Sequence, residues 1–582
     1  MPVLRRVSTL CLLLTLAAGA FSSVLVINPA QAADPAQSGD PVQDSDTIVI
    51  GFTALPRSLD PGDAYDFTSW EVLQHLYTGL VRQKPGAFTT SALAEYDPAN
   101  DDDIIGVYGY ELALAEAVDI SDDRLTYTFT LREDAAFDDG TPITAQIFAD
   151  SLVRAQNLGT GAVQAITPYI DNFQANGERE LVFRLKQPTP YFLALLALPP
   201  YFPVHPNLPN NEARFDPVNS SELIGNGPYQ LASFAYGEEL VLRANPDYRY
   251  GPAARTETIV LRAYPRSQDL RNAIRDREID IAWRSLYLGH VLELEDANIA
   301  GLTISKVPST RVYYVYMNHS EEVYEDETTS SRPTISTLPR RPFSVPQVRE
   351  AVTLLVDRPS VTDVYLEGNA TPLTSVVPTL FPDAYEDIWP MVPDVDSANE
   401  KLIEAGYNNN NDQNRLAFSL FASQSSYGVL YAAAADELAS ESFTPTDYIN
   451  RGARNASVSQ GSAQDFANEL SNGRLQIALF AWTPIVPHPH AYLWPLAHSS
   501  QPLPSNGAFS RDEFDSRLED AALLDDPAAQ GQLYREVSRL LYNEYALIPV
   551  WQDDIQVLAW DDISGVLVEP NFLLRYDQLY RE

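Results

Sequence analysis

Residues Leu125–Arg154 read LTYTFTLREDAAFDDGTPITAQIFADSLVR, and this stretch decides the fold class. Thr126, Thr128 and Thr130 alternate with Tyr127, Phe129 and Leu131, the two-residue period of a half-buried strand. Asp138, Asp139, Gly140 and Thr141 then turn the chain, and Pro142 follows, unable to extend a ladder. A helix comes next, with Thr144 placed to cap its start and Ile147, Leu152 and Ala155 on one face. The unit is strand, turn, helix.

The same mixture recurs along the chain. Strand patterns dominate Leu181–Leu185, Leu240–Arg243 and Thr258–Tyr264, and Thr47–Phe52 reads as the first strand. Helical periods are clearest at Val348–Val356, Ser397–Ala405 and Asp512–Tyr545. Interleaved helices and strands imply α/β lobes rather than a sandwich or a bundle. Polar breaks at 97–106, 319–342 and 408–414 read as surface loops, and no internal repeat is visible.

The N-terminus speaks to compartment. Arg5 and Arg6 precede an apolar stretch from Val7 to Ile27, and Ala30-Gln31-Ala32 ends it in a small-residue cleavage pattern. The reading is a secretory signal over residues 1–32, followed by a flexible polar lead-in over 33–46; an uncleaved anchor is the alternative. Cys11 is the single cysteine and lies inside the apolar stretch after Leu10, where a lipid-modified cysteine needs a small residue, so a lipoprotein is not expected. The mature chain then has no disulfide, thiolate nucleophile or cysteine metal site. Export without a tether points to a periplasm. The roughly 550 residues left after cleavage exceed the ~250–300 at which one core stops growing, so at least two lobes are expected.

Formal net charge is −40, and removal of Arg5 and Arg6 makes it −42. Such a surface repels nucleic acid and anionic lipid. Lysine is confined to Lys84, Lys186, Lys306 and Lys401, so arginine supplies nearly all the positive charge.

Residues 125–154 resemble the signature of the family 5 solute-binding proteins of bacterial ABC importers, the group that includes oligopeptide and dipeptide receptors. Further segments resemble that family in its order: Leu59-Asp60-Pro61 with Leu76-Tyr77-Thr78-Gly79-Leu80-Val81; Ile224-Gly225-Asn226-Gly227-Pro228-Tyr229 with Asn245-Pro246-Asp247-Tyr248; AIRDREIDI at Ala273–Ile281; Tyr313–Asn318 with Pro342-Phe343 and Val348-Arg349-Glu350-Ala351; Ala398–Tyr407; and Asp512–Leu547 with Ile548-Pro549-Val550. The glycines of the third segment suit a tight turn that needs conformations closed to other residues.

The resemblance implies a two-lobed periplasmic-binding-protein fold of type II, in the large cluster with an extra subdomain, and a ligand cleft between the lobes. Lobe I would comprise 47–70, 221–306 and 551–582, a subdomain 71–220 would pack on it, and 307–550 would form lobe II. It implies a non-enzymatic, monomeric receptor without cofactor. That receptor would deliver a small solute, a peptide first of all, to the permease and ATPase subunits of an ABC importer. A non-peptide ligand (sugar, metal chelate or haem) and a sensor not coupled to import stay open. A secreted hydrolase is a further alternative, although no Gly-x-Ser-x-Gly elbow or His-Glu-x-x-His helix is present.

Matching positions nominate ligand contacts at Tyr65, Asp66 and Phe67, at Trp283 and Arg284, at Trp482 and Thr483, and at Trp551 and Asp553. Core packing is the competing role for each aromatic, and a structural ion pair for Arg284. Peptide receptors of this family commonly carry an acid after the Trp482 position to neutralise an α-amino group; here Ile485 stands there and His488 replaces a second acid. Asp66 or Asp553 would then supply the charge, or the ligand has no free amine at that point. His488 and His490 are weak metal candidates, two apart on a Pro-constrained segment.

Overall fold

The computed structural model describes residues 46–86, 109–208, 223–284, 286–321, 341–407, 415–416, 418–423, 438, 456–569 and 571–582. The signal segment, nearly all of the lead-in, and most of the three polar breaks lie outside the described residues.

The opening stretch folds as its pattern dictates. Thr126–Leu131 is a strand with Tyr127, Phe129 and Leu131 buried. It is one of four antiparallel strands, ordered Ala115–Ile120, Thr126–Leu131, Glu180–Leu185, Ile170–Asn176. The helix spans Ala145–Leu158, with the Thr144 side chain accepting from the Ile147 amide and Gly159 ending it in a left-handed conformation. Its core face is Phe148, Leu152 and Ala155; Ile147 sits half-buried at the edge.

Asp60 and Arg154 tie two of the family-like segments together. Arg154 Nη1 and Nη2 donate to Asp60 Oδ1 and Oδ2, each at 2.6 Å, in a buried fork. Asp60 Oδ1 also accepts from the Gly62 amide at 3.0 Å.

The glycine-rich segment is explained by contact rather than by dihedral angle. Gly225 and Gly227 are not among the residues with positive φ. Instead a Cβ on Gly225 would overlap the Leu76 carbonyl, and one on Gly227 the His75 carbonyl. Between them Asn226 exchanges two 3.0 Å hydrogen bonds with the Thr78 backbone. Gly225→Ala must therefore push backbone against backbone. A loss of about 1–3 kcal/mol in a denaturant titration is expected.

Among the described residues a second, larger sheet has eleven strands. Its order is Ala456–Gly461, Phe418–Ser423, Ile477–Trp482, Leu302–Met317, Leu547–Trp560, Ile281–Trp283, Thr47–Phe52, Thr258–Ala263, Glu239–Ala244, Tyr229–Ala235, with Ala370–Pro372 also paired to Leu547–Trp560. Two long antiparallel strands, Leu302–Met317 and Leu547–Trp560, run through its middle. The helical period expected over Asp512–Tyr545 is two helices, Asp512–Ala522 and Pro527–Glu544. Pro527 opens the second, and Asp526 caps it by accepting from the Ala529 amide.

Candidate functional site

The two long strands are interrupted where the halves of the large sheet meet. Pro308 pairs with Asp554 and Val312 with Gln552, so Ser309, Thr310 and Arg311 together oppose Asp553. Such a bulge bends a strand and re-aims its side chains. Two of its carbonyls accept side-chain hydrogen bonds: Gln552 Nε2 donates to Ser309 O at 2.6 Å, and the Tyr492 hydroxyl donates to Thr310 O. Arg311 is thereby aimed sideways. Its Nε donates to Thr483 Oγ1 at 3.1 Å, its Nη1 lies 3.5 Å from Asp553 Oδ2, and its guanidinium carbon sits 5.0 Å from the Phe572 ring centre.

Phe572 belongs to the opposite wall. Its ring centre is 5.0 Å from that of Phe67. Its carbonyl accepts from Arg284 Nη1 at 3.2 Å, and Arg284 Nη2 lies 3.3 Å from Glu71 Oε2. Glu71 is almost fully buried and accepts from Trp283 Nε1 (2.9 Å), the Leu574 amide (3.2 Å) and the Tyr576 hydroxyl. Burial and the adjacent Glu71 charge push the Tyr576 hydroxyl well above the ordinary tyrosine range.

Of the residues nominated from sequence, Phe67, Arg284, Thr483 and Asp553 come together around Phe572 and Arg311. The others have defined jobs nearby. Asp66 caps the helix Phe67–Leu76, accepting from Ser69 N at 2.9 Å and Ser69 Oγ at 2.7 Å. Tyr65 packs edge-on against Trp70. Trp283 and Trp551 are fully buried. Trp551 stacks on Tyr313 with centres 4.3 Å apart, and its Nε1 donates to Asp553 Oδ1 at 3.2 Å. Both tryptophans therefore set the position of a charged neighbour from inside the core.

Trp482 solves a local backbone problem. The helix His490–Ala497 contains Pro495, which has no N–H to offer Ala491 four residues back. Trp482 Nε1 donates to that carbonyl instead, at 3.0 Å. Trp482→Phe keeps the ring and removes the donor. A loss of about 1–3 kcal/mol in chemical denaturation is expected.

Sequence reading missed Glu71, Arg311 and Phe572. Arg311 sits in an otherwise strand-like run, and only the bulge gives it a direction. Phe572 lies near the C-terminus, with nothing local to mark it.

His488 and His490 occupy a seam between the four-stranded-sheet region and the helices that follow Trp482. The ring centre of Tyr191 is 5.6 Å from that of His488 and 6.0 Å from that of His490. His490 stacks on Trp494, and Trp494 on His498. His490 Nδ1 is 3.3 Å from the Tyr534 hydroxyl, and His488 Nδ1 accepts from the His490 amide at 3.1 Å. Burial holds His490 down at about 3 and His488 well below its ordinary value. Among the described residues no group of three or more His, Cys, Asp or Glu is placed to hold a metal ion. Arg124, in the turn before Thr126–Leu131, pairs with Asp525 and donates to Leu523 O at 3.1 Å.

Comparison with solved structures defines the class. An unliganded open form of the murein tripeptide binding protein MppA matches with a TM-score of 0.72 and 20% identity, covering 92% of this chain and 98% of that one. DppA of Helicobacter pylori, in complex with the peptide STSA, matches with a TM-score of 0.63 and 20% identity over the same shares. The fold is the two-lobed α/β fold of periplasmic binding proteins. The family model for bacterial extracellular solute-binding proteins, family 5, matches residues 109–503, and the chain belongs to that family. Among curated relatives, the probable D,D-dipeptide-binding periplasmic protein DdpA of Escherichia coli is 24% identical over 529 residues, 90% of this chain and 92% of its own. The glutathione-binding protein GsiB of Salmonella typhimurium is 24% identical over 575 residues, 97% of each chain.

Proposed function

We propose that this protein is the receptor of a peptide-type ABC importer. It captures a small peptide or peptide-like solute between its lobes and passes it to the permease and ATPase subunits. It works in the periplasm as a monomer and does no chemistry on its cargo. The observation that carries this reading is the meeting of two walls where the long strands cross between the halves of the large sheet. Phe67, Arg284 and Phe572 come from one wall; Thr483 comes from the other, with Arg311 and Asp553 on the crossing strands. A few polar groups set in apolar surroundings suffice to select a small solute.

The expected lobe division has support from the same place, because the bulge at Ser309–Arg311 falls within a few residues of the boundary at 306/307. The relatives' names point the same way: a dipeptide, glutathione and a murein tripeptide are peptide-type solutes. No helix among the described residues is long and apolar enough to cross a membrane.

Thermal-shift screening of the full mature chain tests the proposal. Panels of di- to pentapeptides, sugars and metal chelates are compared. A cognate peptide at a hundredfold excess over its dissociation constant stabilises the folded state by about 2.7 kcal/mol. A shift confined to sugars or chelates would replace the peptide assignment. Turnover of the bound compound would overturn the receptor assignment.

A further inference from the structure

On the lobe division proposed above, the subdomain 71–220 travels with lobe I. The Arg154–Asp60 fork ties the two together, and Asn226 exchanges hydrogen bonds with the Thr78 backbone. Asp138 Oδ1 accepts from Asn245 Nδ2 at 2.8 Å, and the Asp138 amide donates to Gly225 O at 2.9 Å. A swing of lobe II against lobe I therefore carries lobe II past the subdomain as well.

The subdomain meets lobe II from one end of its four-stranded sheet. Leu185 N donates to Leu125 O at 2.7 Å, so the turn 121–125 and the segment after Leu185 leave that end together. The turn is fixed by its own polar groups. Arg124 N donates to Ser121 O at 2.8 Å, Thr126 N to Ser121 Oγ at 2.9 Å and Leu125 N to Asp123 Oδ1 at 3.1 Å. Arg124 holds φ 55° there, a left-handed conformation uncommon for a bulky residue, and its guanidinium reaches Asp525 and Leu523 O. Tyr191, on the second segment, lies against His488 and His490. The two targets are linked in turn. Leu523 and Asp525 lie in the loop that enters the helix Pro527–Glu544, and the Tyr534 hydroxyl of that helix is 3.3 Å from His490 Nδ1.

The two contacts differ in weight. The Asp525 side chain is 84% exposed, and ion pairs of that kind add little. Tyr191, His488 and His490 are all buried. The groups packed around the two imidazoles are Tyr191, with Tyr169 beside it, from the subdomain; Tyr534 from the helix Pro527–Glu544; and Trp494 and His498 from the helix His490–Ala497 and its end. His498 Nε2 in turn lies 3.6 Å from Glu519 Oε1 and 3.9 Å from Asp515 Oδ1. Rings and hydroxyls suit neutral imidazoles. Burial is the first reason that both are held low, and each also feels a neighbouring histidine.

Resting on the receptor reading above, we propose that this seam is an acid-releasable latch between the subdomain and lobe II: with His488 and His490 neutral it holds the lobes in the arrangement described here, and protonation of the imidazoles parts lobe II from Tyr191 and frees the swing. The movement that encloses cargo thereby becomes sensitive to pH. At pH 5.5 each imidazole that gains water on opening favours the open seam about tenfold.

Spin-label distances test this on the ligand-free mature chain. Its one cysteine, Cys11, falls in the signal segment, so introduced thiols label without background. Asp122→Cys and Asp520→Cys, both at exposed positions, put one label on the subdomain and one on lobe II. At pH 7.5 a single short distance is expected. At pH 5.5 a second, longer distance should appear and grow at least about tenfold in population. Adding His488→Asn and His490→Asn should abolish the response to pH. Tyr191→Ala should populate the longer distance already at pH 7.5, with circular dichroism confirming the fold. The pH comparison on the labelled chain needs no seam variant, so it does not depend on one folding. One unchanged distance at both pH values would overturn the latch. So would an acid response that survives in the double asparagine variant, or a Tyr191→Ala chain that keeps the short distance alone. No ligand enters the measurement, so any of these leaves the receptor reading standing, while turnover of a bound compound would overturn that reading and leave the distances as they are.

Discussion

Arg154→Met is expected to lower the stability of the folded chain by about 3–5 kcal/mol, because it strands Asp60 as a buried, uncompensated carboxylate. Asp60 is fully enclosed and takes both arms of the Arg154 fork. The Gly62 amide also donates to its Oδ1, a neutral donor that does not balance the charge. Urea unfolding followed by circular dichroism reads the effect directly. The paired replacement Asp60→Leu with Arg154→Met separates two meanings of the result. If the ion pair matters as a pair, the double variant recovers much of the loss. A single variant as stable as wild type would show that water reaches Asp60 and that the segments are not locked here.

Acidification gives the second large effect. His488 and His490 are buried against Tyr191, Tyr534 and Trp494, and both are held below their ordinary values by that burial. The unfolded chain binds protons at these sites near pH 6.5, whereas the folded chain keeps His490 neutral down to about 3. The stabilising contribution is therefore fully present above about pH 6.5 and is lost progressively as pH falls below it. Between about pH 7.5 and pH 5.5 the two together should forfeit roughly 2–3 kcal/mol. Asp138, raised to about 6, and Glu569, raised to about 7, act in the opposite sense, since burial favours their protonated forms. A pH series of melting curves on wild type and on the His488→Asn, His490→Asn double variant isolates the histidine share. Parallel curves for the two proteins would show that the imidazoles are not enclosed in solution.

Much of the architecture was legible because local chemistry and global fold agree there. The strand, turn and capped helix between Leu125 and Leu158 need nothing distant to form. The break between the two C-terminal helices was also written locally, as Asp526-Pro527, but the apolar period running across it masked the signal. Asp66 shows a different limit. An aspartate before Phe67-Thr68-Ser69 is an ordinary helix cap, and the family-like position suggested a ligand contact instead; the cap is where its oxygens are used. The candidate site was legible only in part. Phe67, Arg284, Thr483 and Asp553 were nominated by position, yet the groups they share contacts with, Arg311 and Phe572, owe their directions to a bulge and to a left-handed turn residue. Neither leaves a periodic trace in the sequence. Trp482 was nominated as a ligand contact; its link to the carbonyl that Pro495 leaves without an amide depends on a helix and a strand end meeting in space.

The bulge at Ser309–Arg311 also has a kinematic meaning. If the lobes swing about the point where the long ribbon is already kinked, Arg311 sits on the axle and hardly travels. Thr483 and Phe572, which touch it in this structure, would be carried toward or away from it. A solute would then meet a stationary anchor first and be wrapped by the moving parts afterwards, so that arrival and enclosure are successive events with separate rates.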